Sequence, residues 1–144
     1  MSERSMSPAE LRAFLEEGTR TGKLATTRRD GRPHVVPIWF VLDGETLLFT
    51  TGRDTVKGRN LLRDPRVSVC VDDEDPPFRF ATISGRARCS DGDPELLRWS
   101  TRIAERYVGA EQADAFGRRN AVPGELLVRV PFEHVVSNRD VIGW

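Results

Sequence analysis

The chain has 144 residues, which suits one domain over residues 1–144. Hydrophobic residues make up 38% and charged residues 31%, the balance of a folded globular chain and not of a disordered one. The 22 basic and 22 acidic residues cancel, which argues against nucleic acid or an anionic membrane as partner, and the longest apolar run, eight residues over 35–42, is too short to span a bilayer.

Ser7-Pro8-Ala9-Glu10 opens the pattern with an N-cap, a proline at the first helical position and a glutamate at the third. Leu11, Phe14 and Leu15 follow at helical spacing, and Gly18 is the expected stop. A threonine-rich strand is expected over 23–29, then the turn Asp30-Gly31, a second strand over 33–42, the turn Asp43-Gly44 and a third strand over 45–51. Together these predict an antiparallel meander. Residues 35–42 are apolar at nearly every position, so the second strand is expected to be covered on both faces.

Asp54 is the expected cap of a short helix over 55–63, which Pro65 ends. A strand over 66–71 places Val67, Val69 and Val71 on one face. An acidic loop over 72–77 precedes a long strand over 78–89, with Gly85 as its expected bulge. Asp93-Pro94-Glu95 starts a helix to about Val108, with Leu96, Ser100, Ile103 and Tyr107 on one stripe and Trp99 beside it. One or two helical turns follow over 111–119, then a last strand over 126–136 in which Val130-Pro131 suggests an edge or a bulge. The tail over 137–144 ends in Trp144, which is expected to dock. The count predicts a mainly β (α+β) fold: a small antiparallel β-barrel of six or seven strands with about three helices outside it.

Residues 1–12 are polar and lack the apolar centre of a secretory signal, so a cytoplasmic location is expected, with Cys70 and Cys89 as reduced thiols. No metal-type cysteine or histidine cluster, G-x-S-x-G, P-loop or G-x-G-x-x-G is present. His34 and His134 stand a hundred residues apart in strands, and the acidic run Asp72-Asp73-Glu74-Asp75 lacks the spacing of a calcium loop. No metal site is expected.

The informative segment runs from Thr50 to Asn60. From Arg53 to Arg66 the net charge is +3 in a chain whose total is zero. Hydroxyls at Thr50 and Thr51 end a strand, and a helix start, whose free N–H groups attract anions, follows at once. Lys57 in the first turn opposes the helix dipole unless an anion is bound there, and Gly58 leaves room for a close approach. The segment fits a phosphate-binding corner or a solvated basic helix. One hairpin away, Val36-Pro37-Ile38-Trp39 offers a strand with broken pairing against which a flat ring can lie; core or interface packing is the other use of these residues.

Several segments resemble one family. Gly22-Lys23-Leu24-Ala25-Thr26-Thr27 with Asp30-Gly31-Arg32-Pro33-His34, then Lys57-Gly58-Arg59-Asn60-Leu61 with Arg63-Asp64-Pro65-Arg66, then Gly85-Arg86-Ala87, resemble the pyridoxamine-phosphate-oxidase-like split β-barrel proteins, of the FMN-binding split-barrel type. The chain looks most like the short branch of flavin/deazaflavin oxidoreductases that use coenzyme F420. Its ending, Asn138-Arg139-Asp140-Val141, does not match the arginine-rich end of full pyridoxamine phosphate oxidases.

The resemblance implies a homodimer with cofactor sites at the interface. It implies that Lys57, Asn60 and Arg59 hold the phosphate or acidic tail, that Thr50 and Thr51 bond to the phosphate or ribityl chain, and that Val36, Pro37, Ile38 and Trp39 back the ring. Arg79 or Phe80 would shape the pocket from the other subunit. Where some relatives carry a basic residue two places before the lysine, this chain has Thr55, leaving the contact to Arg53 or missing.

The expected activity is hydride transfer from reduced F420 to a small conjugated or unsaturated substrate. The alternatives are the same fold using FMN, or a non-catalytic F420 or flavin carrier. No residue is assigned a catalytic role, because no general acid stands near the inferred pocket in the sequence.

Overall fold

The computed structural model describes residues 3–143. Among these residues the chain forms nine strands and four helices. In chain order they are α1 (Pro8–Glu16), β1 (Gly22–Thr27), β2 (Pro33–Ile38), β3 (Val41–Asp43), β4 (Thr46–Gly52), α2 (Val56–Arg63), β5 (Arg66–Asp72), β6 (Phe80–Arg86), β7 (Arg88–Asp91), α3 (Leu96–Val108), α4 (Ala110–Asn120), β8 (Glu125–Pro131) and β9 (His134–Asn138).

The strands form two antiparallel sheets, one in the order β2-β1-β5-β6-β9 and the other β3-β4-β8-β7. This accounts for the difference from the expected count. Each of the three long expected strands breaks at a corner and continues in the other sheet. The 33–42 segment becomes β2 and β3 around Trp39-Phe40, the 78–89 segment becomes β6 and β7 at Ala87, and the 126–136 segment becomes β8 and β9 at Phe132-Glu133. The meander therefore stops after one hairpin, since β3 pairs only with β4. Gly85 keeps its ladder partner Val67 instead of bulging. Its missing side chain admits the Pro131 carbonyl, 2.6 Å from where a Cβ would stand, so the two turning strands can cross.

The main core fills the space between the sheets. It joins Leu24, Val67, Val69, Val71 and Ile83 of one sheet to Leu47, Phe49, Leu126, Val128 and Val130 of the other. Burying each such side chain contributes about 1.5–3 kcal/mol before entropy is counted. Helix α1 adds Leu11, Phe14 and Leu15 to this core. Its capping box forms as the sequence predicts, with Ser7 and Glu10 bonding each other's backbone N–H. A second cluster sits on the outer side of the smaller sheet, where Leu96, Trp99 and Ile103 of α3 cover Val41, Leu48 and Leu127. The strands apolar on both faces are thus β4 and β8. β2 alternates, with Val35 63% exposed. Its run of apolar residues arises because the chain changes sheets at Trp39, not because both faces are covered.

The segment after β9 is anchored: Arg139 N–H donates to Arg4 O, and Val141 N–H donates to Pro77 O. The expected docking of Trp144 lies outside the described residues. No helix among the described residues is long and apolar enough to cross a membrane.

Candidate functional site

The corner between β4 and α2 is built from hydroxyls. Thr55, not Asp54, is the N-cap of α2: its backbone is extended and its Oγ1 accepts from Gly58 N–H at 3.0 Å. The same hydroxyl donates to Gly52 O at 2.8 Å and lies 2.9 Å from Thr51 Oγ1. With Thr55's proton directed at Gly52, the buried Thr51 hydroxyl donates to Thr55 and is committed to holding the turn. Gly58 serves the same packing. A Cβ there would lie 2.2 Å from Gly52 O, so the close approach expected at Gly58 is that of the Gly52 backbone.

Beside this corner lies a cleft of about 350 Å³, within the size range of small-molecule sites. Pro37, Ile38 and Trp39 form one wall; Thr50, Thr51, Gly52, Thr55 and Lys57 form the other. Ile103 of α3, Asn120 of α4 and Glu125 of β8 complete it. Six of the residues singled out in the sequence therefore surround one cleft, although the two groups are eleven positions apart in the chain. Trp39 is 40% exposed, and its indole stacks on Tyr107 with centroids 5.0 Å apart. Tyr107 is fixed by two hydrogen bonds: its hydroxyl donates to Arg20 O and accepts from Phe40 N–H. Burial pushes its phenol above the ordinary value of 10.0, so it stays neutral.

The cleft carries one ammonium, Lys57, and one carboxyl, Glu125. Burial raises the Glu125 carboxyl above its ordinary value of 4.5, while the Thr50 hydroxyl and the Lys57 charge pull in the opposite direction. Desolvation dominates, so Glu125 holds its proton longer than a surface glutamate does. Glu125, Ile103, Asn120 and Tyr107 carried no local signal of a site: Glu125 is one of 22 acidic residues, and Ile103 and Tyr107 fit a helix stripe.

The other expected contacts lie elsewhere in the chain. Asn60 is buried between α2 and β1, where its Nδ2 donates to Thr26 Oγ1 at 3.0 Å and its Oδ1 accepts from Arg63. This latches α2 onto β1. Arg59 lines a separate groove of about 830 Å³ with Arg28, Arg29, Arg32 and Arg63. Of the Lys57-to-Asn60 motif, only Lys57 lines the cleft, while Arg59 and Asn60 border the groove. Val36 pairs with Leu24 in the β2–β1 ladder and is not part of the cleft lining. Arg53 pairs with Asp91 at 2.7 Å. Arg79 pairs with Asp73 and Glu17 and covers the Phe14 ring. Phe80 lies opposite Asp72 and Asn138 at one end of the larger sheet. Neither Arg79 nor Phe80 is among this chain's own cleft lining. No group of three or more possible metal ligands occurs among the described residues.

Two antiparallel sheets exchanging strands at three corners, with a helix bridging them beside a cleft, define a split-barrel protein. The chain belongs to the pyridoxamine 5'-phosphate oxidase family, whose model matches residues 7–137. Over 75 residues it is 40% identical to the 5a,11a-dehydrotetracycline/5a,11a-dehydrooxytetracycline reductase of Streptomyces rimosus. That match covers 46% of this chain and 53% of the reductase, so the chain spans about half the length of this relative. Among solved structures, it resembles the conserved hypothetical protein Rv2991 from Mycobacterium tuberculosis, with a TM-score of 0.84 and 32% identity over 99% of this chain and 89% of that one. It also resembles an F420 reductase, with a TM-score of 0.66 and 28% identity over 86% of this chain and 94% of the other.

Proposed function

We propose that the protein is an oxidoreductase that binds reduced coenzyme F420 in the cleft between Trp39 and Lys57 and reduces a small conjugated substrate. The observation that carries this reading is the meeting, in one cleft, of an aromatic wall, a strand-end hydroxyl and a lysine in the first turn of a helix. Those are the parts a phosphate-bearing tricyclic molecule requires: a flat surface for the ring, and a cation with N–H donors for the phosphate. The residues present fit such a group. The names of two relatives, an F420 reductase and a dehydrotetracycline reductase, support the same chemistry.

When bound, the deazaflavin supplies a hydride to the substrate. The chain's contribution is positional. Lys57 and the helix start hold the negative arm, Pro37, Ile38 and Trp39 fix the ring plane, and Ile103 with the Trp39–Tyr107 stack keeps water from one side. The arginines on the far side of α2 favour F420 over FMN, because F420 has an acidic extension beyond its phosphate and FMN has none.

The same reading includes a homodimer joined through the outer face of the larger sheet. Across its central strands that face carries small side chains, Ala25, Ser68, Ser84, Cys70 and Thr82, flanked by the exposed Val35 and Val136. A sheet face with small side chains at its centre, the Lys23–Asp72 pair towards one end and Arg66 and Arg86 towards the other, suits a second copy, which would bring Arg79 and Phe80 to a neighbouring cleft.

Titration of the apo-protein with F420 and with FMN, followed by ring fluorescence, tests the reading. Tighter binding of F420 is expected, with at least tenfold weaker binding in Lys57→Ala. Tighter binding of FMN makes the protein a flavin enzyme instead. Binding with no hydride transfer to any of a panel of enones and quinones makes it a carrier, and binding of neither molecule removes the proposal.

A further inference from the structure

We propose that Glu125 determines which phosphate the cleft accepts, favouring a diester with one negative charge over a monoester with two. This rests on the cofactor reading above and adds to it a residue that rejects the wrong molecule. Glu125 stands opposite Gly52 in the β4–β8 ladder, and its Oε1 lies 3.7 Å from where a Cβ on Gly52 would be. Its carboxyl is therefore packed against the strand end where the negative arm would sit. The Thr50 hydroxyl and the Lys57 charge both favour its ionised form. From the other elements packed around it, α3 and α4 present Ile103 and Asn120, which do not titrate. A further cation, Arg53, passes beside Gly124 and is paired with Asp91.

The consequence follows from counting charges. With Glu125 ionised, Lys57 is already balanced, and any phosphate enters a site of no net charge. With Glu125 protonated, one lysine charge meets one phosphate charge, and the carboxyl O–H donates to a phosphate oxygen. The carboxylate of the first state repels a dianion about twice as strongly as a monoanion, and burial brings the uncharged second state closer as the pH falls. A dianion brings another charge with no partner in the cleft. At about 5 Å and an effective dielectric of about 20, one unopposed charge changes binding by more than about 100-fold. F420 joins its ring to its tail through a phosphodiester, while FMN ends in a monoester whose second pKa is about 6. Selection here works by repulsion of the competitor as much as by attraction of the partner.

The test uses two probes with one ring, FMN and its phosphate methyl ester, which differ by one charge. Dissociation constants are measured by fluorescence for the wild type, Glu125→Gln and Glu125→Asp at pH 8 and pH 5.5, with circular dichroism confirming the fold. The wild type should bind the methyl ester at least tenfold tighter at pH 8, and this preference should shrink at pH 5.5 as FMN takes up its second proton. In Glu125→Gln, FMN should gain about tenfold at pH 8 and the methyl ester less than threefold. Glu125→Asp, which keeps the charge, should keep the preference. Equal binding of the two probes by the wild type at pH 8, or an unchanged preference in Glu125→Gln, overturns the assignment while leaving the cofactor reading intact. Failure of the wild type to bind F420 or either flavin overturns both.

Discussion

Trp39 and Tyr107 lie face to face, their ring planes 4° from parallel and their centroids 5.0 Å apart. One comes from the corner where β2 passes into β3, the other from α3, and the stack fixes the angle at which the indole borders the cleft. Offset-stacked aromatic pairs contribute about 0.5–1.5 kcal/mol beyond area burial. Because Trp39 is also 40% exposed, Trp39→Ala should lower the thermal midpoint only by a few degrees. It should weaken cofactor binding about tenfold or more. Titration beside a melting curve separates the two effects, and a variant that melts early yet binds normally would show that the ring is packing alone.

Gly58→Ala should reverse the usual rule for helices. Alanine stabilises an ordinary helix interior by about 1 kcal/mol relative to glycine. Here the added methyl group would stand 2.2 Å from Gly52 O and 3.0 Å from Thr55 Oγ1, both parts of the cap. A loss of about 1–3 kcal/mol is expected from the forced shift, read by denaturant unfolding. A more stable variant would contradict the packing described.

Asn60→Ala should act on stability before it acts on binding. It strips the buried Thr26 hydroxyl of its partner and removes an acceptor from Arg63. An unsatisfied buried polar group costs about 1–3 kcal/mol, so the melting midpoint should fall by several degrees. Lys57→Ala, which removes no hydrogen bond within the core, should melt close to the wild type. The opposite order would mean that the roles of the two motif residues have been exchanged.

Replacing Arg29 and Arg59 together with alanine should separate the two cofactors. Both line the groove beyond α2, and neither lines the cleft. F420 should bind several-fold more weakly, and the loss should shrink at high salt as the remaining charges are screened. FMN should be unaffected. An equal loss for both molecules would point to a general field effect.

Stability should depend on pH with two opposite signs. Asp64 is held down to about 2 from 3.8, first by the Arg66 side chain and then by its backbone N–H. Its stabilisation is present above 3.8 and disappears as the pH falls towards 2. Asp73 beside Arg79 and Asp93 beside Arg129 shift the same way. Glu125 shifts upward, so its contribution is complete below 4.5 and declines as the pH rises through its raised value. Unfolding measured from pH 2 to 8 should show the acid loss in both proteins, and Glu125→Gln should flatten the decline on the neutral side.

Local chemistry made much of the chain legible. The capping box of α1, the turn at Gly31, the valine face of β5 and the α2 termination at Pro65 all follow from interactions within a few residues. Strand changes between sheets did not, because a residue at a corner keeps its apolar character while its neighbours change. Phe40 is fully buried and Val35 is 63% exposed within one apolar run. The same limit applied to the motif around Lys57: the residue types were visible, but which of them is buried and which borders the cleft depends on where β1 packs.

The linear order of residues determined the family, the short helix after the strand and the cluster of charge upon it, because these depend on neighbours a few positions apart. Only the folded chain decided that Lys57 shares a cleft with Trp39 and Glu125 while Asn60 turns inward to Thr26. Strand register and helix packing bring together residues as distant as 39, 57 and 125, and such long-range closure leaves no trace in local pattern.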